Sequence, residues 1–175
     1  MKIHITSNEK LRPFFNEVNK YEEGVHKLNE GIAIEEIERL VENPLKIELP
    51  DNYKQFLQIC NGGEIFATAD GTNLAEVYNP LKGEREKGVT YLNDSFKVES
   101  RLPNMPQTLL VIANTSYGDL ICMDLRTNDG GDAMIVNWSH ETGEITESWE
   151  RLIDWLMSEL EIGASLTNYD GSDKD

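Results

Sequence analysis

The stretch LPDNYKQFLQICNGGEIF, from Leu49 to Phe66, predicts a helix that leads directly into a strand. Pro50 suits the first position of a helix, because its missing N–H is not needed there and its fixed φ is already helical. The apolar side chains that follow, spaced i, i+3, i+4 and i+7 on one helical face, are Tyr53, Phe56, Leu57 and Cys60. Gly62 and Gly63 predict the end of this helix and a reversal of the chain, after which EIFA begins a strand. We interpret the stretch as a corner that builds the fold, and its apolar face as core.

Two more helices are predicted before this corner. Residues 1–30 form a polar leader with one helix from Leu11 to Glu23. In the next segment Ile34, Ile37 and Val41 lie at i, i+3 and i+7 with acids between them, which is amphipathic helix spacing. The Asn43-Pro44 pair predicts the end of that helix, because the residue before a proline is pushed out of the helical region.

Three β-prone runs follow a fragmented middle segment. Glycines and prolines interrupt residues 70–107, where only one helix, around residues 91–98, is predicted. The runs are TLLVIA (Thr108–Ala113), DLICMDL (Asp119–Leu125) and AMIVNW (Ala133–Trp138). Short polar turns separate them, which favours antiparallel pairing because parallel strands need long crossover connections.

The segment SWERLIDWLMSEL predicts a closing helix that covers the sheet. Ser148 is a good N-cap, and one face carries Trp149, Leu152, Ile153, Leu156 and Leu160. After Gly163 the chain is polar and rich in glycine, serine and aspartate, so a flexible acidic tail is expected. The order of elements predicts an α+β fold, a largely antiparallel mixed sheet flanked by helices.

The charge of the chain indicates which partners it attracts. It has 32 acidic residues against 16 basic ones, a formal net charge of -16 at pH 7. Such a surface repels nucleic-acid phosphates and anionic membranes, since both are bound through Lys and Arg. The same acidic surface attracts a basic protein, although solubility alone would also explain the charge.

No apolar run in the sequence is long enough to cross a bilayer, and the N-terminus lacks the apolar core of a secretory signal. A cytoplasmic location is therefore expected.

Cys60 and Cys122 each lie in an apolar stretch, which predicts buried reduced thiols.

The ordered motifs IELPDNYKQFLQICNGG, LLVIANTSYGDLICMDL, IVNWSHETGEI and SWERLIDWL resemble the SUKH superfamily, which joins the fungal Smi/Knr cell-wall regulators with bacterial homologues. The resemblance implies a single SUKH-like domain, 31–162, and no catalytic activity. Around this domain the residues themselves predict an N-terminal extension, 1–30, with one helix packed on the domain, and the tail, 163–175. No cofactor is expected. Bacterial members are mostly immunity proteins that neutralise toxins, often nucleases, whereas fungal members are interaction hubs.

Enzymatic and metal chemistry find little support in the residues. Carboxylates near the predicted hairpins, such as Asp124 and Glu141, could form an acid/base pair, but 32 acids make such neighbours common. TNDGGD resembles a calcium loop without its closing acidic ligand, and a hairpin turn explains it better. The three histidines are scattered, which disfavours zinc, and no phosphate loop or nucleophile elbow occurs.

The leading hypothesis is an immunity protein that blocks the active site or substrate groove of a cognate, basic toxin domain, plausibly a nuclease. A non-enzymatic scaffold or regulatory adaptor of the Smi/Knr type is the alternative. Candidate contact residues lie at or near predicted hairpin ends, and they are Tyr117, Asp119, Asp129, Asp132, Trp138, His140 and Glu141. For Trp138, packing in the core is an equal alternative to partner contact. For the acids, the alternative is a solvated position in a turn.

Overall fold

In the part of the chain that the structure describes, seven strands form one antiparallel sheet and pair in sequence order. The computed structural model describes residues 8–69 and 71–175. The strands are β1 (Lys27–Glu30), β2 (Cys60–Ile65), β3 (Thr72–Leu74), β4 (Leu109–Asn114), β5 (Leu120–Asp124), β6 (Ile135–Trp138) and β7 (Ile145–Trp149). The α+β class and the three predicted β-prone runs are confirmed, and every strand pair in the sheet is antiparallel rather than mixed.

The helices are α1 (Arg12–Val18), α2 (Ile34–Ile37), α3 (Asn43–Leu45), α4 (Asp51–Ile59) and α5 (Leu152–Leu166). A π-helical turn, Glu38–Glu42, joins α2 to α3. The main core lies between these helices and the sheet, and a smaller core covers the other sheet face beneath Leu102 and Met105. Because both faces are covered, β4 is buried from Leu109 to Ala113 without the alternation of a half-exposed strand. Both cysteines are buried free thiols, as predicted.

The prediction that the helix ends at Asn43-Pro44 is wrong, because helical structure continues through Pro44 to Leu45. The π-helical turn before it uses the i to i+5 bond from the Asn43 N–H to the Glu38 carbonyl. Pro44 has no N–H for the Leu40 carbonyl, and the side-chain amide of Asn93 donates to that oxygen instead at 3.0 Å. The helix ends at Lys46, whose φ of 55° is left-handed.

The glycine pair lies in a strand and does not close a helix. Helix α4 begins at Asp51, one residue after the predicted start at Pro50, but it ends at Ile59, and the chain enters β2 at Cys60. Gly63 has φ +114°, and a Cβ there would lie 2.1 Å from the Lys27 carbonyl oxygen of β1. The glycine therefore allows the edge strand β1, which the sequence did not predict, to approach β2 closely.

The start and the end of the last helix also differ from the prediction. Ser148 lies in β7, and α5 begins at Leu152, so Ser148 is not its N-cap. The helix continues through Gly163 to Leu166. Beyond it, Thr167 forms a bridge with Asp173, while the flexibility of the tail stays a prediction.

The predicted helices at the N-terminus and in the middle segment are shorter than expected. Helix α1 covers Arg12–Val18 only, and its Phe14 and Phe15 rings pack against Phe56 of α4. In place of a helix around 91–98, the chain forms two 3₁₀ turns, Leu92–Asp94 and Val98–Ser100.

Candidate partner-binding surface

The meander places the predicted contact residues at opposite ends of the strands. Strands β4 and β6 run one way and β5 and β7 the other, so turns 115–119 and 139–144 lie side by side at one end. Tyr117, Asp119, Trp138, His140 and Glu141 belong to this end. Asp129 and Asp132 lie in loop 125–134 at the other end, about 15 Å away for strands of four to five residues. A single small contact therefore does not contain all seven.

Asp119 joins the two neighbouring turns, which we call together the hairpin-end surface. It is buried at 7% exposure, and one carboxylate oxygen accepts from the backbone N–H of His140 at 2.9 Å and meets the His140 Nδ1 at 2.7 Å. The other oxygen accepts from the Asn137 amide at 2.9 Å. The turn that carries Tyr117 is thereby fixed to the turn that carries His140 and Glu141.

The hydrogen bonds keep Asp119 ionised despite its burial. Burial alone would raise the pKa of this carboxyl, but the bonds from the His140 backbone, the Asn137 amide and the His140 imidazole lower it below its usual value. Asp119 therefore carries a fixed negative charge that already has its donors. Its role at the surface is to position its neighbours.

Tyr117 is the exposed aromatic side chain of the hairpin-end surface, with 65% of its area accessible. Partial desolvation, followed by the charge of Glu159 and then those of Asp119 and Glu147, raises the pKa of the phenol, and a hydrogen bond with Thr115 opposes the shift. Glu147 from β7 and Glu159 from α5 therefore face the same region. The sequence alone does not indicate Glu147 or Glu159 as surface residues of this end, because only the pairing of β7 and the packing of α5 bring them there.

Other acids at or near the hairpin-end surface have no Lys or Arg partner among the residues that the structure describes. Within residues 8–69 and 71–175, no Lys or Arg forms an ion pair with Glu141, Glu144, Glu147 or Glu159. The cause is visible in the sequence, since residues 102–175 hold 14 acids and only three bases, Arg126, Arg151 and Lys174. Burial raises the pKa of the Glu159 carboxyl, and the hydrogen bonds that it accepts from Thr72 and Trp155 oppose this shift.

At the other end, Asp132 connects two helices to the loop that carries it. Its Oδ1 accepts from the N–H of Leu152, the first residue of α5, at 3.0 Å, and its Oδ2 accepts from the Asn52 amide of α4 at 2.8 Å. The Gly130 and Gly131 carbonyls accept from the N–H groups of Asp51 and Asn52. This loop therefore satisfies helix N-termini, which need acceptors in any fold.

Asp129 and Trp138 also make contacts within the fold. The Asp129 carboxylate accepts from the N–H groups of Gly131 and Asp132 at 2.9 and 2.8 Å, which shapes the loop. Trp138 is 6% exposed and packs in the smaller core with Val136 and Met105. Of the seven predicted residues, Tyr117, His140 and Glu141 combine an exposed side chain with a place on the hairpin-end surface.

The acid/base pair considered from the sequence is not assembled. Asp124 ends β5 at the far end of the sheet from Glu141, and its carboxylate pairs with Arg126 at 2.7 Å. Among the residues that the structure describes, no group of three or more His, Cys, Asp or Glu side chains could hold a metal ion. In the same residues no helix has the length and apolarity required to cross a bilayer.

Comparison with known proteins identifies the family. No curated protein matches the chain. The sequence profile of the SMI1 / KNR4 family (SUKH-1) matches residues 31–158, a span that runs from the glycine after β1 into α5. Because the match covers well over half of its residues, the chain belongs to the SMI1 / KNR4 family (SUKH-1).

Proposed function

We propose that this chain is an immunity protein that binds a basic toxin domain and blocks its active site or substrate groove. Membership of a family that includes immunity proteins is the observation that carries the proposal. The proposed mode of action is occlusion by binding, with no reaction catalysed by the chain itself. The proposed place of action is the cytoplasm.

The hairpin-end surface is the proposed contact. It offers exposed carboxylates at Glu141 and Glu144, with Glu147 of β7 near them, and an exposed aromatic ring at Tyr117. Carboxylates match the Lys and Arg side chains that a nuclease uses to hold phosphates, and they contain no bond that the nuclease can cleave. Aromatic side chains commonly supply the anchoring energy at such interfaces.

Rigidity supports this choice of surface. The bonds of Asp119 to the His140 N–H and to Asn137 of β6 connect the two turns before a partner arrives. A surface that is already ordered loses less conformational entropy on binding than a flexible one. A plausible target is a nuclease, because its substrate groove is basic.

The test co-expresses the chain with the toxin domain encoded beside it in its genome, and scores growth. Rescue is expected with the wild-type chain. Reversal of two charges, Glu141→Lys with Glu147→Lys, should weaken the complex about tenfold or more, mainly through a slower association rate. Glu38→Lys is the matched control, because Glu38 is exposed on the helical side of the fold.

A scaffold or adaptor of the Smi/Knr type is the alternative function. It predicts a stable complex with a non-toxic protein and no rescue of growth by the wild-type chain. Absence of both rescue and a complex with the neighbouring toxin would refute the immunity proposal.

A further inference from the structure

Arg85 lies in a slot formed by two tyrosines and one aspartate. Its guanidinium carbon is 4.3 Å from the ring centre of Tyr78 and 5.0 Å from that of Tyr91. The two rings meet at 61° with centroids 5.3 Å apart. Both guanidinium Nη atoms bond the carboxylate of Asp94, whose Oδ1 also pairs with Lys97 at 2.8 Å. The guanidinium is thus held by two aromatic faces and a bidentate ion pair.

The segment that carries Arg85 is exposed throughout residues 80–88. Within it, Gly83 and Gly88 flank Arg85, and a Cβ added at either glycine would meet no atom within 4 Å. Leu81, in the same segment, leaves 83% of its area in solvent. The loop therefore has no apolar packing to hold it, and a few polar contacts keep Arg85 in the slot.

A cavity of about 250 Å³ shares the two tyrosines with the slot. Four glutamates line it, Glu30, Glu76, Glu84 and Glu86, together with Lys82. In the part of the chain that the structure describes, Lys82 pairs with Glu36, and no Lys or Arg pairs with any of the four. The wall of the slot thus continues into a region with surplus negative charge, whose one lining cation, Lys82, is paired with Glu36.

We propose that Tyr78, Tyr91 and Asp94 form an arginine-binding site, which Arg85 fills in the free protein and an arginine of a basic protein partner fills in the complex. The slot selects a guanidinium over an ammonium, because only the planar group stacks on the rings while it bonds both carboxylate oxygens. The glutamates of the adjacent cavity favour a second basic residue next to that arginine. Arg85 lowers the fraction of molecules whose slot is open, so its removal raises apparent affinity. The partner in this inference is that of the proposed function.

The test uses the full chain and two synthetic peptides, acetyl-Gly-Arg-Arg-Gly-amide and its Lys-Lys counterpart, titrated by NMR with the Tyr78 and Tyr91 ring signals observed. Arg85→Ala should bind the arginine peptide about tenfold more tightly than the wild type does. It should also prefer arginine to lysine. Adding Asp94→Asn to Arg85→Ala should remove the gain. If Arg85→Ala does not fold, Arg85→Gln replaces it.

Equal affinity of wild type and Arg85→Ala for the arginine peptide, or equal binding of the two peptides, would overturn the inference. The readout needs no toxin. Its failure is therefore distinguishable from failure of the growth-rescue test of the proposed function.

Discussion

Gly163 should resist substitution even by alanine, although it lies inside a helix. A Cβ at this position would lie 2.1 Å from two ring carbons of Phe66, whereas carbon atoms in contact need about 3.5–4.0 Å. The Phe66 ring has little room to move, because Tyr21 and His26 contact it with centroid distances of 5.2 and 4.6 Å. Its backbone is also fixed, with a left-handed φ of 55°.

Two effects of opposite sign decide the size of the change. Replacement of a mid-helix glycine by alanine stabilises a helix by about 1 kcal/mol. Overpacking of a filled core costs about 1–3 kcal/mol, and a required shift above 1 Å places this site at the upper end. We therefore expect Gly163→Ala to lower the free energy of unfolding by about 1–2 kcal/mol.

Urea denaturation followed by circular dichroism measures this change. Ser165→Ala is the matched control, since Ser165 is exposed on the same helix and should change stability by no more than about 0.5 kcal/mol. Phe66→Leu should relieve the clash, so the double variant with Gly163→Ala should lose less than the sum of the two single losses. A Gly163→Ala variant as stable as the wild type would refute the reasoning.

Three other perturbations test contacts described above. Burial lowers the pKa of His26 from 6.5 to about 4. The contribution of His26 to the free energy of unfolding is therefore complete above pH 6.5 and is lost as the pH falls toward 4. Between pH 7 and pH 4 the His26→Gln variant should lose up to about 3 kcal/mol less of its free energy of unfolding than the wild type does, as measured by urea titration. Identical pH profiles of the two proteins would contradict the assignment. Asp132→Ala should destabilise the fold by about 2 kcal/mol, because Leu152 and Asn52 lose their acceptor, whereas no change in the denaturation midpoint would mean that the loop has other support. Asp119→Ala should accelerate hydrogen exchange of the His140 amide at least tenfold, and unchanged exchange would show that the two turns do not depend on this carboxylate.

The sequence predicted the parts of the fold that local chemistry determines. Pro50 marks the start of α4 to within one residue, and the β-prone runs mark β4, β5 and β6 to within two residues. The edge strands β1 and β7 were missed because they are short and mostly exposed, so they carry no hydrophobic alternation. Their strand conformation depends on pairing with β2 and β6.

The candidate surface was predictable in its residue types but not in its geometry. A sequence shows that Tyr117 and Glu141 lie in turns, but it does not show that Asp119 bonds a residue 21 positions away. In the same way, Asp132 looks like an ordinary turn acid until α4 and α5 are placed beside it. Long-range hydrogen bonds decide which of several similar acids hold parts of the fold together and which keep an exposed carboxylate.

The contact between α1 and α5 has a consequence for synthesis of the protein. These are the first and last helices that the structure describes, and their buried side chains belong to one core. Helix α1 therefore emerges from the ribosome long before α5, the last helix of their shared core. Because an uncovered apolar face invites aggregation, the nascent chain should remain a client of chaperones until residue 166 has left the exit tunnel.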